Sequence, residues 1–182
     1  MRVAIFTGSA PGHDARWIDA AVDLTRYLTR QGAGIVYGGA AVGLMGAVAD
    51  TALAEGAEVI GVIPRDLFDA EVPHQGLTEF HEVDSMHDRK ALMADRADAF
   101  VALPGGIGTL EEFFEVWTWR TLGLHPKPVA LYNPWDFWTP LVSALDAITE
   151  SGFIRPEVRA GLVVESDPQS LWRALNPPVA EQ

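Results

Sequence analysis

Six short apolar runs, at residues 3–7, 34–37, 58–63, 80–83, 99–103 and 128–132, are separated by longer stretches with helical periodicity, and this alternation narrows the accessible folds more than any other feature of the chain. A strand covered on both faces reads as a continuous apolar run, and parallel neighbours need a crossover, usually a helix, between them. Over residues 14–30, Trp17, Ala20, Ala21, Leu24 and Leu28 recur at helical spacing, and residues 44–54, 86–97 and 109–122 behave in the same way. The pattern predicts an α/β fold: a Rossmann-like, doubly wound parallel sheet with helices on both faces. With 182 residues, 48% of them hydrophobic, the chain has the size of one domain, taken as residues 1–175 with a flexible tail at 176–182. Residues 64–78, polar and irregular between two strands, read as a lid or an active-site loop.

Glycines mark the junctions. Gly8-Ser9, Gly38-Gly39 and Pro104-Gly105-Gly106 each directly follow a strand, at the carboxyl edge where open α/β sheets bind ligands. In Gly105-Gly106-Ile107-Gly108-Thr109, a strand-to-helix loop, backbone N–H groups and the helix dipole converge on an anion and Thr109 adds a hydroxyl, so phosphate is the natural guest. A second loop, from Gly38 and Gly39 through Gly43 to Gly46, has the same context, and two such loops on adjacent strands could hold opposite ends of one nucleotide. The competing reading is that these glycines only form tight turns.

Several classes are disfavoured. No Lys-Ser or Lys-Thr follows either loop, which argues against a P-loop NTPase, and neither loop forms G-x-G-x-x-G after the first strand, which argues against a dinucleotide. Only two lysines, Lys90 and Lys127, are present, and neither sits in a Schiff-base context. With no cysteine, thiolate metal sites and disulfides are absent. A formal charge of −12 opposes the broad basic face that nucleic acid or an anionic membrane needs, and the first apolar stretch is too short for a signal or a span. A cytoplasmic protein is expected, with any anion caught by a local positive site.

Met86, Arg89, Lys90 and Met93 fall at i, i+3, i+4 and i+7 of one predicted helix, placing two cations beside two flexible apolar side chains. They form either a local anion trap or a solvated face paired with Asp88 and Asp95. Thr109-Leu110-Glu111-Glu112 fits a capping box, and it equally lets Glu112 project from the first turn toward the sugar of a nucleotide held by the preceding loop, while Glu111, about 100° round the helix, is expected to point elsewhere. Helix N-terminus and Arg89 are expected to keep the Glu112 pKa low, suiting it to stabilise an oxocarbenium-like centre or to orient water. His87 points away from the Arg89 face, and the acid that protonates the leaving base has no candidate.

Three segments, GGAAVGLMG at 38–46, SMHDRKALM at 85–93 and PGGIGTLEE at 104–112, resemble the Lonely guy (LOG) family over about residues 1–165. The resemblance implies a cytokinin-activating phosphoribohydrolase that cleaves the N-glycosidic bond of a nucleoside 5′-monophosphate to free base and ribose 5-phosphate, with adenine or an N6-modified adenine as base and no metal or organic cofactor. Arg89 and Glu112 match the family's catalytic pair, Lys90 its substrate-contacting neighbour, and Gly106 to Thr109, with Gly105, Ile107 and Gly108, its phosphate loop. Glu71 and Thr118 match further substrate contacts, and Met86, Gly38, Gly39, Gly43 and Gly46 complete the expected binding set. Ala40 stands where many relatives have a third glycine. On this reading the capping and catalytic roles need not compete, and Arg89 is expected to orient Glu112 and the ribose hydroxyls or to offset charge in the transition state.

The helix through 110–124 is apolar around its circumference, with Phe113, Phe114, Val116, Trp117, Trp119 and Leu122. The resemblance implies a homodimer through Phe113–Leu122; a deeply buried helix is the alternative. Trp135, Phe137 and Trp138 are expected in the core. Two rivals share the fold class: a carrier that binds a nucleotide or molybdenum pterin without cleaving it, and a DNA-processing protein, which the acidic charge disfavours.

Overall fold

Five inner strands are buried along nearly their whole length, while the two edge strands are only partly covered, as a sheet packed on both faces requires. The computed structural model describes residues 1–176. Its strands are β1 (Arg2–Phe6), β2 (Gly34–Tyr37), β3 (Val59–Pro64), β4 (Glu79–Val83), β5 (Ala99–Ala102), β6 (Val129–Tyr132) and β7 (Leu162–Glu165), and all pair in parallel in the order β4-β3-β2-β1-β5-β6-β7. The helices are α1 (Arg16–Arg30), α2 (Gly43–Ala54), α3 (Phe68–Glu71), α4 (Met86–Arg96), α5 (Ile107–Thr121), α6 (Thr139–Glu150), α7 (Pro156–Ala160) and α8 (Pro168–Leu175). The expected doubly wound sheet is present. β7 and the helices around it went unread in the sequence, because its four residues are a short edge strand with only Leu162 buried.

Alternate side chains feed two cores. Val3, Ile5, Ile35 and Val101 pack under α1, α2 and α8, while Ala4, Phe6, Val36 and Phe100 pack under α4, α5 and α6. From β1 the chain winds outward to β4 on one side and returns to β5, β6 and β7 on the other. The crevice beyond the carboxyl ends of β1 and β5 is therefore the topological switch point.

Residues 64–78 are less irregular than expected. A 3₁₀ turn at Arg65–Leu67 leads into α3, and the following residues are tied to the loop after β2: Ala41 N–H donates to Val72 O at 2.8 Å, His74 N–H donates to Gly39 O at 2.9 Å, and Ala40 bridges Pro73. Val72, a β-branched residue at φ 41°, is held there by this pairing. Of the three late aromatics expected in the core, Trp138 is buried, but Trp135 is 56% exposed at φ 51°, because the chain turns sharply at Pro134–Asp136. The expected tail lies, from residue 177 onward, outside the described residues.

Candidate active site

Beyond the switch point lies a cavity of about 270 Å³ with two chemically different ends and an apolar wall of Met45, Leu67 and Met86. One end is made of backbone and hydroxyls: Thr7, Gly8, Gly106, Gly108 and Thr109. The other carries the charges: Glu71, Arg89, Glu111 and Glu112.

The first end is the N-terminus of α5. Its N-cap is Gly106, in extended conformation and without a side-chain cap, whereas α4 is capped by Ser85 and α8 by Asp167. The first helical bond there runs from Leu110 N–H to Gly106 O, so the N–H groups of Ile107, Gly108 and Thr109 have no helical acceptor. The capping box is thereby corrected: Thr109 is the third helical residue, and its buried hydroxyl has no partner among the described residues. Threonines further along helices, at 29, 51, 121 and 149, donate instead to the carbonyl four residues back. A Cβ built on Gly106 or Gly108 would meet nothing within 4 Å, so these glycines leave open space at the helix end.

At the second end, Arg89 reaches from α4 and is 3% exposed. Its Nε donates to Val62 O at 3.1 Å, and its Nη2 donates to Gly38 O at 2.7 Å and to Glu71 Oε2 at 3.0 Å, with the sulfurs of Met45 and Met86 alongside. Two carbonyls and a carboxylate offset the desolvation of this buried cation. Among the described residues Arg89 makes no hydrogen bond to Glu112, contrary to the expectation that it orients that carboxylate; its fork is committed to Glu71 and the backbone. Glu112, one turn beyond Thr109, is 8% exposed and receives no hydrogen bond from any described residue. Burial pushes its carboxyl up to about 7, reinforced by Glu111 and Glu71 and opposed by Arg89 and Lys90. The low pKa expected from the helix terminus and Arg89 is thus reversed, because desolvation outweighs both.

The remaining expected residues separate. Gly38, Gly39, Gly43 and Gly46 do not line the cavity, and close packing within the protein accounts for each. A Cβ on Gly38 would lie 2.0 Å from Arg89 Nη2, one on Gly43 would lie 1.9 Å from Ser9 O, and one on Gly46 2.5 Å from Ala41 O; Gly39, at φ 80°, is crowded by Val62. Lys90, adjacent to Arg89 but about 100° round the helix, turns to α5 and pairs with Glu111 at 2.5 Å and Glu115 at 3.0 Å, so it touches the site only through Glu111. Gly105 packs on the Thr109 side chain, Ile107 is 87% exposed, and Thr118 lies outside the cavity, on an apolar groove of about 410 Å³ between α5 and α6. Thr7, Met45 and Leu67 line the cavity without a role read from the sequence, although the Gly8-Ser9 junction after the first strand points toward Thr7; Glu111, expected to point elsewhere, lines the cavity as well and pairs there with Lys90.

A Schiff-base cofactor finds no host. Lys90 is ion-paired away from the cavity and Lys127 Nζ donates to Ala94 O at 2.7 Å. Among the described residues no group of three or more His, Cys, Asp or Glu is placed to hold a metal ion, and no helix is long and apolar enough to cross a membrane. A larger hollow of about 550 Å³, at the opposite edge of the sheet, is lined by Glu55 and Glu58, both already paired with arginines.

The family model described as "Possible lysine decarboxylase" matches residues 45–175. The cytokinin riboside 5′-monophosphate phosphoribohydrolase of Rhodococcoides fascians is 47% identical over 178 residues, 97% of this chain and 89% of that protein. The enzyme of the same name designated LOG1 from Arabidopsis thaliana is 42% identical over 174 residues, 96% of this chain and 82% of that protein. Among solved structures, a Moco carrier protein from Chlamydomonas reinhardtii superimposes with a TM-score of 0.70 at 18% identity, covering 95% of this chain and 93% of that one, a likeness of fold alone.

Proposed function

The chain belongs to the family described as possible lysine decarboxylases, the Lonely guy family, and from that premise we propose that it hydrolyses the N-glycosidic bond of adenosine 5′-monophosphates, plain or N6-modified, releasing the free base and ribose 5-phosphate. The observation that carries this reading is the polarity of the cavity. Free amides and an unpartnered hydroxyl at one end suit a phosphate, and an unbonded buried carboxylate stands one helical turn away, where the sugar of that nucleotide falls.

In this arrangement the phosphate docks on the amides of Ile107, Gly108 and Thr109 and fixes the ribose. Glu112, with a pKa near 7, is ionised in a large fraction of molecules at neutral pH and takes a proton from the attacking water. As the C1′–N9 bond breaks, its electron pair leaves on the adenine; the two hydrogens of water end on the anomeric hydroxyl and on the base. Glu71, held by Arg89, and Glu112 until it takes the proton offset the positive charge that develops on the sugar.

The nucleotide implies a cytoplasmic enzyme, and the apolar face of α5 supports a homodimer. Phe114, Trp117, Leu141 and Ile148 line the groove beside it, Phe153 is 87% exposed there, and Leu122 and Leu124 extend the apolar surface past the helix end. A carrier on the same fold is the alternative, and a buried carboxylate on the cavity wall that receives no hydrogen bond from any described residue favours the enzyme.

Incubation with AMP and with isopentenyladenosine monophosphate, followed by chromatography for free base, tests the proposal. Base and ribose 5-phosphate in equal amounts are expected from at least one substrate. Tight binding of both with no base released from either overturns it in favour of the carrier.

A further inference from the structure

Thr7 occupies the first position after β1, beside the switch point. Phe6 pairs with Ala102 of β5, and Leu103 N–H donates to Phe6 O at 3.0 Å, so the loop after β1 faces the loop after β5 across the cavity. Thr7 is 7% exposed and lines that cavity, and its Oγ1 is buried with no partner among the described residues. Leaving a buried hydroxyl unpaired is costly unless something outside the protein satisfies it. Thr109, whose Oγ1 is likewise buried and without a partner among the described residues, lines the same cavity. The next residue, Gly8, would place a Cβ no closer than 3.7 Å to a non-adjacent atom, so packing does not demand glycine there, just as it does not at Gly106 and Gly108. Two threonines with orphan hydroxyls and three glycines that packing does not demand thus line the same cavity.

We propose that Thr7 is a ligand-binding residue: its hydroxyl donates a hydrogen bond to the phosphate held at the N-terminus of α5, opposite Thr109, and Gly8 leaves the space that the phosphate oxygens occupy. A phosphate ester suits this end because it accepts from several directions at once, and its tetrahedral oxygens can take both hydroxyls and the free amides. The carboxylates at the other end repel it, which fixes the direction in which the nucleotide lies.

The inference rests on the proposed reaction only for the remainder of the ligand, and the test separates the two. Inorganic phosphate and ribose 5-phosphate are titrated calorimetrically into the unaltered protein, Thr7→Val and Thr7→Ser, with adenine as the phosphate-free control. Thr7→Val, nearly isosteric, is expected to weaken phosphate and ribose 5-phosphate by about ten- to a hundred-fold, the worth of a hydrogen bond to a charged group. Adenine affinity stays unchanged, Thr7→Ser returns to within about threefold of the parent, and the melting temperature of unliganded Thr7→Val is equal to or above the parent's, because an unpaired hydroxyl has been replaced by a methyl. With nucleotide, KM rises more than kcat falls. Unchanged phosphate affinity in Thr7→Val, equal losses for adenine, a lowered melting temperature, no rescue by serine, or no phosphate uptake by the unaltered protein would each overturn the assignment. Absence of base release by the unaltered protein counts against the reaction, and the phosphate titration still decides Thr7.

Discussion

The two glycine-rich loops look alike in sequence, each leading from a strand into a helix, yet they serve opposite purposes. In the loop after β2 every glycine answers to the protein: Gly38 makes room for the Arg89 guanidinium, Gly43 for the backbone at Ser9, and Gly46 for that at Ala41. In the loop after β5, Gly106 and Gly108 face open space and the first-turn amides are unspent. One loop is packed against the protein behind the cavity; the other presents free amides to it. Glycine runs alone do not distinguish the two, because the residue is chosen in both cases for what comes close to its Cα, and the sequence does not state whether that neighbour is a guanidinium or a phosphate.

The largest test concerns the cost of keeping the ligand-facing side ready. Glu112→Gln should lower turnover about a thousandfold while sparing ribose 5-phosphate binding. It should also stabilise the protein. Because burial raises the folded carboxyl from 4.5 to about 7, the native state holds a proton that the unfolded chain releases, so stability falls as pH rises from 4.5 to 7 and is flat above. The loss sums to about 3 kcal/mol. Glu112→Gln is free of it and should melt above the parent at pH 8 but level with it near pH 4; an equal difference at both pH values would show that the carboxyl is not strained by burial. In the parent, kcat/KM should climb about tenfold per pH unit below 7 and level off above it, the signature of a carboxylate acting in its ionised form.

A matched pair of substitutions probes the comparison directly. Gly38→Ala drives a methyl to 2.0 Å from Arg89 Nη2 and 2.8 Å from the Met45 sulfur, so denaturant melts should show a loss of about 1–3 kcal/mol, with turnover reduced as Arg89 shifts. Gly106→Ala meets no protein atom and should change stability by less than about 0.5 kcal/mol while raising KM about tenfold, since the methyl fills ligand space. If both variants lose stability equally, the distinction between the loops fails. The smallest effect is expected at Lys90. Thr118 and Lys90 both match substrate contacts by motif, but neither lines the cavity, and Lys90→Met should leave KM within about threefold of the parent in steady-state assays.

Much of the architecture was legible because burial on both faces writes itself into composition. Strands at 34–37 and 99–103 match β2 and β5 to within a residue, since nothing polar interrupts a strand that no water reaches. β7 and α7 escaped because short elements near an edge carry too few buried positions to set a period. The T-x-x-E signature misled by three residues: Gly106, in extended conformation, starts the helix, which frees Thr109 and Glu112 from capping and turns both to the cavity. Arg89 and Lys90 show the same limit, since adjacent residues on a helix diverge by about 100°, and one enters the site while the other pairs with Glu111 and Glu115.

The order of apolar runs and periodic stretches was enough, by itself, to determine a parallel doubly wound sheet and to point to the carboxyl edge where the cavity lies, because chain connectivity and hydrophobic burial are local in origin. The motif residues were enough to determine the family. Only the tertiary structure decided which glycine loop lines the cavity, that Arg89 is held by Glu71 and not by Glu112, and that the Glu112 carboxyl is raised and not lowered. Those are outcomes of close approach and desolvation, which exist only once distant segments have packed against one another.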